Sequence, residues 1–475
     1  MLKYCLLGAL SALYLTSLGN VGFLGPDEPR YASIGRAMAA SGDWITPVLD
    51  GQPWFEKPPL LYWMTATGHL LGFSNERAAR LPVALAGIAF LVFFYSTLER
   101  EFSRRVALFG TAILGTSAGW VSLSFAAVTD LPMSAALGGA MLIGLFGPAA
   151  YRGAQRGREP NQLVQGLIAG TLLGLAILAK GFVPLVLMAP VLLVCRGKRL
   201  SMIAAAIVVA APWYLLSSVN YGAVFWDEFF WKHHVERIYS ADLEHVRQFW
   251  FYIPVFLAGL FPWTPLVALV GRRASLDDGR VRFLLFWVIG GLILFSIPIN
   301  KLPAYVLPFL PAAAIILAVS LDKLKAQESA WWLAGCSALL AVVPVVAGIL
   351  PDALLSGLST TEPRFAVGWP FLIAAAGVGW LAWIDRKDFA MLSAAVATVA
   401  ALLFLKSAAF PTMEERVSVR GFWLTNQPGA AQACLDEITR TPQYGLNYYA
   451  RRPLEVCDGG SPRIVMREGR LALER

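Results

Sequence analysis

Residues 163–178 read LVQGLIAGTLLGLAIL and residues 181–195 read GFVPLVLMAPVLLVC, with only Ala179 and Lys180 between them. A bilayer-spanning helix needs about 17–25 mostly apolar residues, and both runs approach that length. Neither alternates apolar and polar residues, which excludes the strands of an outer-membrane barrel. Working outward, similar runs occupy 2–22, 79–98, 106–123, 131–149, 200–218, 249–270, 283–299, 302–319, 331–350, 369–384 and 389–409. The chain has 475 residues, 57% of them hydrophobic and 15% charged. Its mean hydropathy is +0.60, whereas a soluble domain carries about 25% charged residues. A soluble enzyme, a fibrous protein and a disordered chain are thereby excluded. The pattern predicts an all-α polytopic membrane protein of about thirteen transmembrane helices.

The net charge of +8 is a topology signal rather than a nucleic-acid footprint. Every second connection is basic: Arg100, Arg104 and Arg105; Arg152, Arg156 and Arg158; Arg196, Lys198 and Arg199; Arg272, Arg273, Arg280 and Arg282; Lys323 and Lys325; Arg386 and Lys387. The intervening short connections carry almost no cations. By the positive-inside rule the basic set is cytoplasmic, and Lys3 places the N-terminus with it. An odd number of spans then puts the C-terminus on the outer side.

The first run follows Lys3 as in a signal peptide, but it is long and lacks a small-x-small cleavage site before Gly25 and Pro26. It reads as a retained span. The organisation is therefore a membrane domain over 1–410 and a small outer α/β domain over 411–475. Cys5, Cys195 and Cys336 fall in or beside spans, where they pack. Cys434 and Cys457 lie in the outer segment, where an oxidising compartment favours a disulfide between them.

Four regions face outward with chemistry-bearing residues. The loop over 23–78 opens Gly25-Pro26-Asp27-Glu28-Pro29-Arg30-Tyr31, with Tyr31, Ile34 and Met38 on one helical face. Asp27 or Glu28 suits the cap of that helix, and Gly42 its end. Trp54-Phe55-Glu56-Lys57-Pro58-Pro59-Leu60 follows, with Pro59 starting a second interfacial helix. The other regions are Thr129-Asp130-Leu131-Pro132, the histidine-bearing loop over 219–248, and the C-terminal segment. Lys180 and Lys301 sit in short connections on the side where cations are disfavoured. Ionisable groups between spans usually face a cavity and a partner. With Lys57 and Arg237 they predict a cationic pocket for a lipid phosphate at the outer leaflet.

The pair Asp27-Glu28-Pro29-Arg30-Tyr31 and Phe55-Glu56-Lys57-Pro58-Pro59-Leu60 resembles the first-loop signature of the polyprenyl-phosphate-sugar-dependent GT-C glycosyltransferases. Within them it most resembles the 4-amino-4-deoxy-L-arabinose transferases that modify lipid A, and more distantly the protein O-mannosyltransferases. The resemblance extends from residue 20 to about 310, through Thr129-Asp130, Lys180-Gly181-Phe182, His234-Val235-Glu236-Arg237 and Lys301-Leu302-Pro303-Ala304-Tyr305.

That resemblance implies inverting transfer of a sugar from an undecaprenyl-phosphate donor on the outer face of the bacterial inner membrane, to lipid A phosphate, another glycan or a protein hydroxyl. It implies Asp27 as the main catalytic carboxylate, with Glu28 beside it and Asp130 as the second acid. It assigns Lys57 and Arg237 to the donor phosphate, and Lys180, Lys301, Arg30 and Tyr305 are further candidates for the same pocket. It also implies a divalent metal, zinc, on Glu56 and His234, with a further histidine from the C-terminal region. No histidine follows His245 in this chain. Membrane lipids are expected partners, and nucleic acid is not.

The same residues admit plainer readings. Asp27, Glu28 and Asp130 suit helix starts, Glu56 and Lys57 a solvated pair, and Lys180 and Lys301 headgroup contacts. A lipid-linked sugar flippase would also place cations between spans. Such transporters show internal repeats with broken helices, and none is evident here.

Overall fold

The computed structural model describes residues 1–146, 161–236, 246–271, 276–357, 361, 366–458, 462–467 and 469–474; of His234 and Ser356 it describes only the backbone. The protein is mostly helical. Among the described residues, seven helices are long and apolar enough to cross a membrane: Asn75–Glu101, Gln162–Lys180, Arg196–His233, Gly279–Ser296, Pro303–Asp322, Ala326–Leu355 and Lys387–Arg416. One further candidate is bent by 61° between Arg104–Thr116 and Ala118–Ser124. Five shorter apolar helices are Leu2–Leu15, Asp130–Leu145, Val183–Val194, Phe249–Gly259 and Trp369–Trp383. Each of these thirteen falls on one of the apolar runs of the sequence.

The bend shows how a broken span keeps its backbone satisfied inside a membrane. Ser117 is extended at φ −64°, ψ 132°. Across the break, the amide of Ala118 donates to Phe261 O at 2.9 Å. Trp263 Nε1 donates to Thr116 Oγ1 at 2.9 Å, so a neighbouring element seals the gap.

The elements that carry the site come early in the chain. In order they are α1 (Leu2–Leu15), α2 (Asp27–Ser41), α3 (Leu60–Leu70) and α4 (Asn75–Glu101). In α2 the first turn holds Asp27, Glu28 and Pro29, and Gly42 at φ +73° ends it with its N–H on Met38 O. The residue at the N-cap is Pro26, and neither carboxylate caps the helix. They are used elsewhere: Asp27 pairs with Arg30, and Glu28 is drawn inward to Arg80 of α4 at 2.7 Å. Glu28 also accepts from the amides of Leu24 at 2.8 Å and Ala127 at 2.7 Å. The start of α2 is thus bolted to the membrane part. Tyr31, Ile34 and Met38 are buried, as their spacing predicts. Gly35 lets α2 and α3 approach closely; a Cβ there would sit 2.6 Å from the Thr65 side chain.

Further along lie α5 (Arg104–Thr116), α6 (Ala118–Ser124), α7 (Asp130–Leu145), α8 (Gln162–Lys180) and α9 (Val183–Val194). Lys180 is the last residue of α8, and Gly181 at φ +77° stops the helix there. Asp130 is the first residue of α7. An acid at a helix start and a base at a helix end both suit the helix dipole. Antiparallel α7 and α8 therefore bring the two charges to the same end of the bundle.

The long helix Lys387–Arg416 continues past residue 410 to Arg416. Beyond it is a small α/β unit. A short strand, Cys434–Leu435, pairs in parallel with Arg463–Arg467, which pairs antiparallel with Arg470–Glu474. Cys434 and Cys457 are disulfide-bonded. The helix Arg440–Ala450 lies against α2. Asn447 Nδ2 donates to Asp50 at 3.0 Å, Arg36 donates to Tyr448 O at 2.9 Å, and Tyr449 donates to Glu76 at 2.6 Å.

Candidate active site

A cavity of about 820 Å³, including the space at its mouth, lies where the first loop meets the ends of α7 and α8. Glu56, Lys57, Lys180, His233, Asn300 and Tyr305 supply its polar wall, and Met133, Val183, Phe295, Pro298 and Pro308 its apolar one. Five segments remote in sequence converge on it.

Lys57 reaches the cavity from the turn before α3. Its Nζ lies 3.1 Å from Glu56 Oε1. The other Glu56 oxygen, Oε2, takes Arg30 Nη1 at 3.0 Å. Arg30 in turn pairs with Asp27 one helical turn earlier. The result is a chain of alternating charge, Asp27–Arg30–Glu56–Lys57, running from the start of α2 to the cavity. Burial pushes the Glu56 carboxyl up, but the Lys57 and Arg30 charges outweigh it and hold it down to about 2. Asp27 is the open end of this chain, with 45% of its side chain exposed.

Lys180 reaches the cavity from the end of α8, paired with Asp130. Its Nζ also lies 4.7 Å from the centre of the Tyr305 ring, within the range of a cation–π contact. The cavity therefore has two ammonium groups, each steadied by its own carboxylate. Fixed cations in a pocket screened from bulk water stabilise developing negative charge more strongly than they would in water.

The remaining predicted residues fall elsewhere. Glu28 is 4% exposed, with both oxygens engaged by Arg80, Leu24 and Ala127, and it does not line the cavity. Lys301 is 4% exposed and donates to Pro298 O at 2.6 Å and Arg247 O at 3.1 Å. It tacks the turn over 298–301 to the strand-like segment at Val246 and Arg247. Its neighbours Pro298 and Asn300, rather than Lys301, face the cavity. Arg237 lies outside the described residues. Among the described residues the histidine on the cavity wall is His233, whose Nε2 lies 3.1 Å from Glu228 Oε1; the side chain of His234 lies outside them. Neither His233 nor Asn300 stands out in sequence, because no periodicity fixes their facing.

The zinc expectation on Glu56 and His234 falls partly outside the described residues, which omit the His234 side chain. Both Glu56 oxygens already face cations. Among the described residues, no group of three or more His, Cys, Asp or Glu side chains gathers.

Comparisons with known proteins agree on one kind of molecule. Residues 56–219 match the family described as dolichyl-phosphate-mannose-protein mannosyltransferase. An undecaprenyl phosphate-α-4-amino-4-deoxy-L-arabinose arabinosyl transferase from Sodalis glossinidius is 34% identical over 403 residues, covering 79% of this chain and 69% of that one. Its counterpart from Erwinia tasmaniensis is 29% identical and covers 94% of this chain and 88% of its own. The crystal structure of ArnT from Cupriavidus metallidurans bound to undecaprenyl phosphate superposes with a TM-score of 0.74 at 23% identity. It covers 96% of this chain and 86% of that chain.

Proposed function

The chain belongs to the family of undecaprenyl phosphate-α-4-amino-4-deoxy-L-arabinose arabinosyl transferases, and on that footing we propose that it moves 4-amino-4-deoxy-L-arabinose from undecaprenyl phosphate to a lipid A phosphate. It is a membrane glycosyltransferase of the GT-C class rather than a flippase. The observation that carries the substrate reading is the pairing of Lys57 and Lys180 on one cavity with an apolar wall. Such a pocket suits a phosphate whose tail is an isoprenoid, because cations meet the head while Met133, Val183, Phe295 and Pro308 meet carbon.

In the reaction, an oxygen of the acceptor phosphate attacks the anomeric carbon from the face opposite the donor phosphate. A new C–O bond forms as the old one breaks, and its electron pair leaves on undecaprenyl phosphate. Lys57 and Lys180 neutralise that growing charge. An acceptor phosphate is already an anion and needs no base. Asp27 then serves by orienting the sugar and countering positive charge at its anomeric carbon. Were the acceptor a hydroxyl, the same carboxylate would take its proton. Arg30 keeps Asp27 in place from the Glu56 side. The orientation that suits this chemistry has the N-terminus in the cytoplasm, and the cavity and C-terminal unit in the periplasm.

The test is transfer in proteoliposomes containing the undecaprenyl-phosphate-linked aminosugar and lipid A, read by mass spectrometry of both lipids. Wild type adds the sugar to lipid A, and folded Asp27→Asn does so at least about 100-fold more slowly. Donor consumption with lipid A unchanged would overturn the acceptor assignment. Equal rates in Asp27→Asn would overturn the role of Asp27.

A further inference from the structure

Arg30 is the hinge of the charge chain, and its surroundings are unusual for a guanidinium. Its side chain is 12% exposed. Three aromatic rings enclose it, with centres 5.5 Å (Tyr31), 5.6 Å (Trp54) and 5.3 Å (Tyr444) from Cζ. All three are within the distance at which a ring face attracts a cation. Tyr31 and Trp54 belong to the first loop, as do the carboxylates that Arg30 bridges. Tyr444 does not. It comes from the helix Arg440–Ala450 of the C-terminal unit, beyond the last span.

That helix is held at several points by the first loop, α2 and α4. Asn447 holds Asp50, Arg36 holds the carbonyl of Tyr448, and Tyr449 holds Glu76. Tyr444 lies about one turn before Asn447 and Tyr448, on the same face. The docking contacts thus fix where its ring sits. Without the ring, one side of the Arg30 cage is open. Arg30 then has freedom to leave Asp27, which is half exposed and depends on that ion pair for its orientation.

We propose that Tyr444 is a positioning residue for sugar transfer: it closes the cage that keeps Arg30 bridging Asp27 and Glu56, so the extramembrane unit completes the active site. The inference rests on the assignment of Asp27 to the reaction. It separates two functions of the site. The donor phosphate is held by Lys57 and Lys180, which Tyr444 does not touch. The reacting carboxylate is oriented through Arg30, which it does.

The test compares Tyr444→Phe, Tyr444→Leu and Trp54→Leu in the full-length protein, with kcat and donor KM measured separately and melting temperature as a control. Tyr444→Phe keeps the ring and retains kcat within about 2-fold. Tyr444→Leu loses kcat by about 10-fold with donor KM unchanged, the scale expected for one partly desolvated cation–π contact. Trp54→Leu, which opens the cage from the other side, lowers kcat in the same way and carries the test if Tyr444→Leu does not fold. Wild-type kcat in folded Tyr444→Leu would overturn the inference. So would an equal loss in Tyr444→Phe, or a rise in KM without a change in kcat. Absence of transfer by the wild type would instead overturn the proposed function.

Discussion

Lys57 and Lys180 line one cavity, and each is anchored by a carboxylate of its own: Glu56 lies 3.1 Å from Lys57, and Asp130 pairs with Lys180. The two lysines enter from separate elements, the turn before α3 and the end of α8. A phosphate between them would meet positive charge from both directions.

Replacing either lysine by alanine removes one of those charges while leaving its carboxylate in place: Asp130 loses its lysine, and Glu56 keeps only Arg30. Transfer is expected to fall by about 100-fold or more in Lys57→Ala and in Lys180→Ala. Arginine at either position retains part of the rate. Initial rates in proteoliposomes, corrected for folded protein, check this.

Glu56 sets the pH behaviour of the cluster. Its folded carboxyl titrates at about 2 against an ordinary 4.5. A depressed carboxylate contributes stability above its unfolded value and loses that contribution as pH falls toward its folded one. The difference in thermal stability between wild type and Glu56→Gln is therefore expected to be constant from pH 8 to about 5. It shrinks only below about 4.5, the ordinary value. A difference that collapses between pH 7 and 6 would contradict the Arg30–Glu56–Lys57 arrangement.

Glu28 stands beside Asp27 in sequence but serves the fold. Glu28→Gln leaves the buried Arg80 guanidinium without its counter-charge, and breaking such a pair costs about 3–5 kcal/mol. Low yield and a lowered melting temperature are expected. The folded fraction is expected to bind undecaprenyl phosphate as wild type does.

The carboxylate of Glu56 is saturated by Arg30 and Lys57. Treatment with a chelator, followed by assay in metal-depleted buffer, is accordingly expected to leave transfer within about 2-fold. A rate restored by zinc after such treatment would contradict that arrangement of Glu56.

Cys434 and Cys457 close a loop with a sequence separation of 23, and that loop contains the helix bearing Tyr444. A closure of this size stabilises by about 3 kcal/mol. Reduction, or Cys434→Ser with Cys457→Ser, is expected to make the C-terminal unit more sensitive to protease and to lower kcat as Tyr444→Leu does.

Much of this architecture is legible in the sequence because the bilayer imposes it. Each of the thirteen apolar runs became a helix, since backbone in lipid must satisfy its own hydrogen bonds. Asp130 is readable as an acid at a helix start, Lys180 as a cation on the disfavoured side and Lys57 as a cation beside an acid, but the pairing of Asp130 with Lys180 is not. What the sequence hides is the facing of residues outside regular helices. Lys301 and Asn300 are adjacent in an irregular turn, and the amide rather than the ammonium lines the cavity. His233 precedes His234 in a wide, non-α helical segment, where the usual 3.6-residue period does not tell which one points inward. Glu28 and Asp27 are neighbours on α2, so they diverge by about 100° around the helix. One faces Arg80, and the other the open end of the charge chain. The contact of Tyr444 with Arg30 depends on how the C-terminal unit docks, which no local pattern encodes.

The central claim is that paired lysines hold the donor phosphate, and equilibrium binding of undecaprenyl phosphate to the purified protein in detergent tests it most directly. The account predicts saturable binding by wild type, weakened about 100-fold or more in a folded Lys57→Ala/Lys180→Ala variant. Equal affinity in the two proteins would contradict it.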